Sequence, residues 1–142
     1  MLSVIIPAYN EEKSLRLFYD AVTPLMESLQ EEYEMIFAND GSRDATKDIL
    51  RELAAKDKRV KACSFSRNFG QQAALLCGME LSSGDAVIAM DADLQDPPSL
   101  LPEMFKAIKE EGYDSVATRR VTRKGEPPIR SFFARKFYKI MN

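Results

Sequence analysis

A chain of 142 residues can hold one domain with a sizeable core but not two comfortable ones. Its 45% hydrophobic and 30% charged residues exclude global disorder, and the lack of any His excludes His-built zinc sites and Ser-His or Cys-His catalytic pairs. The net charge of −2 hides an asymmetry: residues 119–142 hold eight basic residues against the single acid Glu126, and the remainder holds 12 basic and 21 acidic residues. A basic end on an acidic body fits an anionic partner there, or simply a solvated surface. No nucleic-acid partner is expected.

Residues 2–7 form an apolar run that reads as a strand. So early a strand leaves no room for a charged leader and an apolar signal region, so a soluble, cytoplasmic chain is expected. Pro7-Ala8-Tyr9-Asn10-Glu11 then reads as a strand-to-helix turn with Asn10 as cap; Tyr9 could cover a base and Glu11 could hold ribose hydroxyls. A helix follows over about 12–30, with Leu15, Phe18, Val22, Met26 and Leu29 on one stripe and Pro24 expected to kink or split it. The second strand, 33–39, runs into Asn39-Asp40-Gly41-Ser42. Asp-Gly makes a tight turn, and Ser42 is expected to cap a helix over 44–55 that faces Ile49, Leu50 and Leu53 inward. That local account leaves Asp40 over, a carboxylate placed to accept hydrogen bonds from a uracil or guanine imide. The third strand, 60–65, leads through Arg67-Asn68-Phe69-Gly70 into a helix over 70–81. Arg67 near its start reads as a phosphate contact or as a plain surface arginine. Cys63 and Cys77 have no metal-binding spacing and read as buried, reduced thiols.

Residues 86–90 make a fourth uncharged strand, followed directly by Asp91-Ala92-Asp93-Leu94-Gln95-Asp96-Pro97-Pro98. Acids clustered at the end of a buried strand repel one another and are costly to desolvate without a cation. Asp93 and the amide oxygen of Gln95, with Asp91 as a further candidate, offer hard oxygen donors suited to Mg²⁺ or Mn²⁺, an ion that keeps positions open for phosphate oxygens. Asp96 has a local reading as N-cap of a helix that opens at Pro97-Pro98 and stops at Gly112. A fifth strand is expected over 114–118. Further on, Ile129, Phe132, Phe133, Phe137 and Ile140 recur at near-helical spacing among Arg130, Arg135, Lys136 and Lys139. Such a basic amphipathic helix suits an anionic membrane surface, or this domain's own core. No apolar run approaches the roughly 20 residues needed to span a bilayer.

Alternating strands and helices argue for an α/β domain: a mostly parallel sheet with helices on both faces, and ligands beyond the carboxyl ends of the strands. Four separate loops place their polar residues on that rim, which is the pattern of a nucleotide site. A signalling receiver domain is the remote alternative. It would want acids after the first strand and an aspartate after the third, where this chain has Pro7-Ala8-Tyr9-Asn10 and Ser64-Phe65-Ser66-Arg67.

In order and spacing, Ile5-Ile6-Pro7-Ala8-Tyr9-Asn10-Glu11, Asn39-Asp40-Gly41-Ser42, Arg67-Asn68-Phe69-Gly70 and the acidic octapeptide resemble the glycosyltransferase family 2 domain of GT-A fold. Within it they are most similar to dolichyl-phosphate mannose synthases and bacterial undecaprenyl-phosphate glycosyltransferases. The resemblance implies that Pro7, Tyr9, Glu11, Ala38 and Asp40 line a base and ribose pocket, that Asp91 and Ala92 contact the nucleotide, and that Asp93 and Gln95 hold the metal on the diphosphate. It further implies that Arg119 faces the phosphates and that Arg130 or Arg135 meets the acceptor's phosphate. The activity implied is inverting, metal-dependent transfer from a nucleotide sugar, UDP-linked by expectation, to a polyprenyl phosphate; the alternative acceptor is a glycan in surface polysaccharide synthesis. Members of the family run past the point where this chain stops, and the lipid-linked subgroup adds transmembrane helices. Residues 1–142 are therefore expected to be the donor-binding portion of the catalytic domain, without the acceptor half and its base, binding donor with little turnover. The full-length protein is expected at the cytoplasmic face of a membrane.

Overall fold

The structure, a computed structural model, describes residues 1–118; the expectations for Arg119, Arg130, Arg135 and the basic amphipathic segment lie outside the described residues. Strands β1 (Leu2–Ala8), β2 (Tyr33–Asn39), β3 (Val60–Ser64) and β4 (Ala86–Ala89) alternate with helices α1 (Leu15–Ser28), α2 (Thr46–Lys56) and α3 (Gln71–Leu81). A 3₁₀ turn, Pro98–Leu100, then opens α4 (Leu101–Glu110). The strands are all parallel, in the order β3-β2-β1-β4. This is the expected α/β architecture.

The sequence of β1 explains its central place. Val4, Ile5 and Ile6 are wholly buried, so both faces of the strand need a cover, as parallel sheets require. Leu2, Val4, Ile6 and Ala8 face the main core with Met35 and Phe37 of β2, under Leu15, Phe18, Val22 and Met26 of α1 and Leu50 and Leu53 of α2. Phe18 meets Phe37 edge to face at 6.1 Å between ring centres. Each such buried side chain contributes about 1.5–3 kcal/mol of transfer free energy.

The opposite face is covered by α3, whose buried residues are Ala74 and Gly78. The helix sits close because Gly78 has no side chain: a Cβ there would fall 2.2 Å from Cγ2 of Ile5. At the amino end of the sheet, Ser3 Oγ donates to Glu34 Oε1 at 2.7 Å, the Ser83 N–H donates to the same oxygen at 2.6 Å, and the Gly84 N–H donates to Ser3 Oγ at 2.9 Å. Burial pushes the Glu34 carboxyl up, but Lys61, Ser3 and Ser83 outweigh it and hold it below the usual range.

Several local expectations are corrected. Pro24 does not split α1, which continues through it from Leu15 to Ser28. Both Pro24 and Asp20, the residue whose carbonyl loses its partner, are exposed, so water can solvate that oxygen. The expected helix start at Glu12 falls instead in the loop before Leu15. Asp96 is not the cap of the 3₁₀ turn; Pro97 holds that position. Residues 114–118 form no ladder with the other described residues. They face β4, α4 and part of β1 across a cavity of about 610 Å³ lined also by Val87, Ile88, Met104 and Phe105. A strand-like composition cannot make a strand without a bonded neighbour. Among the described residues, no helix is long and apolar enough to cross a membrane.

Candidate functional site

The carboxyl ends of β1, β2 and β4 and the first turn of α3 enclose a cleft of about 310 Å³. Seven expected residues meet there: Pro7, Tyr9, Glu11, Asp40, Asp91, Ala92 and Asp93. Parallel pairing brings them together. Pro7 lies opposite Ala38 and Ala8 opposite Asn39, and the Met90 N–H donates to the Ile5 carbonyl at 3.0 Å, so the chain leaves β4 beside β1 at Asp91. Ala38 itself is wholly buried in β2, and neither it nor Gln95 is among the residues lining the cleft.

The rim is built by loops that bond to each other. Asn10 adopts a left-handed φ of 57°. Its N–H donates to Ser42 Oγ and its Oδ1 accepts from the Arg43 N–H, both at 2.9 Å. The Glu11 N–H donates to Oγ1 of the buried Thr46 at 2.8 Å. Glu12 and Asp44 close the set: the Glu12 N–H donates to Asp44 Oδ2, and Glu12 Oε2 accepts from the Ala45 N–H. Asn10 and Ser42 were expected to cap their own helices. They spend those side chains on each other's loop instead, a contact separated by 32 residues that no local motif reveals.

Asp40 is 3% exposed. One carboxylate oxygen accepts the Phe69 N–H at 2.7 Å and the other the Gly70 N–H at 2.9 Å. The end of β2 thus grips the turn that starts α3. Gly41 makes the grip possible: with φ at 68°, a Cβ there would sit 2.3 Å from the carbonyl carbon of Arg67. Beyond this turn, Gln71 Nε2 donates to Asp91 Oδ1 at 2.9 Å. Asn68, Gly70, Gln71 and Ala74 line the cleft without having been assigned to it; Arg67-Asn68-Phe69-Gly70 signalled the region, and nothing signalled Gln71.

Alternation sets the direction of the acids. Ala92 is buried at 2% exposure, and Asp91 and Asp93 on either side of it are exposed. Asp93 Oδ1 accepts the Gln95 N–H at 2.9 Å across a turn in which Leu94 has φ of 58°. Each aspartate therefore has one oxygen held by a neutral N–H donor. Among the described residues neither pairs with a Lys or Arg. Two hard carboxylates without a counter-charge fit a divalent cation. Among the described residues no group of three or more acids or cysteines could cage one alone, so such an ion would complete its shell with water and ligand oxygens.

Between β3 and α3, Cys63 and Cys77 bring their sulfurs to 3.4 Å, both half-buried rather than fully buried as expected. Burial, then the neighbouring thiol, pushes Cys63 up to about 12.

A profile of the family described as Glycosyl transferase family 2 matches residues 3–140. The chain belongs to glycosyltransferase family 2. Among relatives within this family's reach, it is 44% identical over 140 residues to the uncharacterized glycosyltransferase YkcC of Bacillus subtilis (strain 168), covering 99% of this chain and 43% of that protein. It is 40% identical over 141 residues to the bactoprenol glucosyl transferase of Shigella phage SfV, covering 99% and 46%. The chain thus spans less than half the length of the curated relatives it matches. The solved mannosyltransferase PcManGT from Pyrobaculum calidifontis, in complex with GDP-Man and Mn²⁺, superposes with a TM-score of 0.63 at 20% identity, over 77% of this chain and 32% of that one. At that identity the likeness speaks for the GT-A type of fold.

Proposed function

We propose that this family 2 chain binds the nucleotide-sugar donor of an enzyme that transfers a sugar to a polyprenyl phosphate. The observation that carries the reading is the pair Asp91 and Asp93: exposed carboxylates on the strand-end rim, each fixed by a neutral donor and, among the described residues, without a paired cation. The bactoprenol glucosyl transferase relative supports a lipid-phosphate acceptor, and the PcManGT complex supports a diphosphate-linked sugar with a metal.

In this reading Tyr9, 43% exposed, covers the base, and Glu11 takes the ribose hydroxyls while its backbone is fixed by Thr46. Asp40 keeps lone pairs for the base imide beyond those given to Phe69 and Gly70. Pro7 shapes the floor with Ala38 buried beside it in β2, Asp91 and Ala92 touch the nucleotide, and Asp93 with Gln95, and Asp91 as a further ligand, holds Mg²⁺ or Mn²⁺. A bound divalent ion there would supply Lewis-acid neutralisation of the charge on the departing nucleoside diphosphate. A phosphate-monoester acceptor, with its second pKa at about 6, is already ionised at neutral pH. It needs positioning by arginines such as Arg119, Arg130 and Arg135 more than it needs a strong base. Its oxygen bonds to the anomeric carbon as the bond from that carbon to the diphosphate breaks, which inverts the configuration. The work is placed at the cytoplasmic face of a membrane.

Thermal unfolding with UDP or GDP, with and without Mn²⁺, tests the donor site. UDP with Mn²⁺ is expected to raise the midpoint, and Asp93→Ala to abolish the metal-dependent part; an unchanged response in that variant rejects the assignment. For the acceptor, the full-length protein given labelled UDP-sugar and polyprenyl phosphate is expected to move label into butanol. Label found only in glycan would overturn the lipid acceptor.

A further inference from the structure

We infer that Gln71 is a positioning residue of the donor site, orienting Asp91 for a metal-bound nucleotide; the inference rests on the donor-site reading above. The Gln71 amide lies 2.9 Å from Asp91 Oδ1, and both residues line the cleft. Gln71 can hold that position because the turn before it is fixed from below. Asp40 binds the N–H groups of Phe69 and Gly70, Gly70 takes a φ of 97°, and the Gly41 backbone packs against Arg67 with no room for a Cβ. A continuous path therefore runs from the end of β2, through the first turn of α3, to the acid that follows β4.

The chemistry of the donor is as informative as its place. Asp91 and Asp93 lie two residues apart and repel each other when ionised. An arginine or lysine at position 71 would relieve that repulsion and also neutralise the site, competing with a cation. A neutral amide fixes the carboxylate without adding charge, as the Gln95 N–H does for Asp93. Both acids are thus oriented by neutral donors alone. The second oxygen of each takes no hydrogen bond from the described residues.

The test is calorimetric titration of the full chain with UDP, in Mn²⁺ and in EDTA, for wild type, Gln71→Ala and Gln71→Lys, with unfolding midpoints measured alongside. Gln71→Ala is expected to weaken UDP binding about tenfold in Mn²⁺, in line with loss of a hydrogen bond to a charged group, and by clearly less in EDTA. Gln71→Lys is expected to bind UDP equally with and without Mn²⁺, since the ammonium occupies the cation's electrostatic role. Wild-type affinity for UDP and Mn²⁺ in Gln71→Ala overturns the inference and leaves the donor site standing. An equal loss in Mn²⁺ and in EDTA marks a structural role and also overturns it. A wild type with no metal-dependent UDP binding removes the donor-site reading and this inference together.

Discussion

Asp57, in the turn between α2 and β3, gathers donors from two parts of the chain: the Tyr19 hydroxyl of α1 at 2.8 Å, and the backbone N–H and guanidinium of Arg59. The Arg59 bonds come first in pulling its carboxyl down to about 2, against the opposing push of burial. The sign follows from proton binding. The folded protein holds the ionised form more tightly, so the stabilisation is complete above the unfolded carboxyl pKa of about 3.9 and is lost as pH falls through about 2. Asp57→Asn should therefore lower stability by about 1–3 kcal/mol at neutral pH. It should also lose less stability than wild type between pH 5 and pH 2, as urea titrations across that range would register. Parallel losses in the two proteins would mean that the Arg59 contacts contribute nothing to acid sensitivity.

Among the elements, α3 is seated with little room to spare. It rests on β1 through Ala74 and Gly78, and a methyl at Gly78 would collide with the Ile5 side chain. Gly78→Ala should cost about 1–3 kcal/mol by overpacking, and Ile5→Ala in the same chain should recover part of that loss although Ile5→Ala alone is destabilising. Strict additivity in denaturant unfolding would show that the helix shifts freely, contrary to the close seating seen here. The same seating explains why α3 was legible only in part. Its span could be read from the sequence to within a residue, since Gly70 and the apolar run through Leu81 mark both ends. Its role at the cleft could not, because Gln71 meets Asp91 across 20 residues of chain and carries no local signature. The four strands were readable from their apolar runs, whereas residues 114–118 show the limit of that rule: composition supplies side chains, and a ladder needs a partner. Asn10 and Ser42 misled for a related reason, each satisfying a capping pattern locally while bonding across to the other's loop.

For the whole molecule the dominant fact is the division of charge, with 21 acids against 12 bases outside residues 119–142 and eight bases against one acid within them. A polyprenyl phosphate acceptor would lie at a membrane, and the basic stretch suits attraction to anionic headgroups. Full chain should sediment with vesicles containing anionic lipid at low salt. It should be released as the Debye length shrinks from about 10 Å at 0.1 M toward about 3 Å at 1 M. Arg130→Glu with Arg135→Glu should weaken sedimentation; binding indifferent to salt would point away from charge as the cause.

The two sulfurs between β3 and α3 have a practical corollary. Air oxidation of Cys63 and Cys77 would staple the edge strand to the helix whose first turn reaches the cleft. Ligand titrations on aged, unreduced samples would then report a stapled molecule rather than the native one. A reductant in the buffer, or Cys77→Ser, keeps the measurement on the molecule intended.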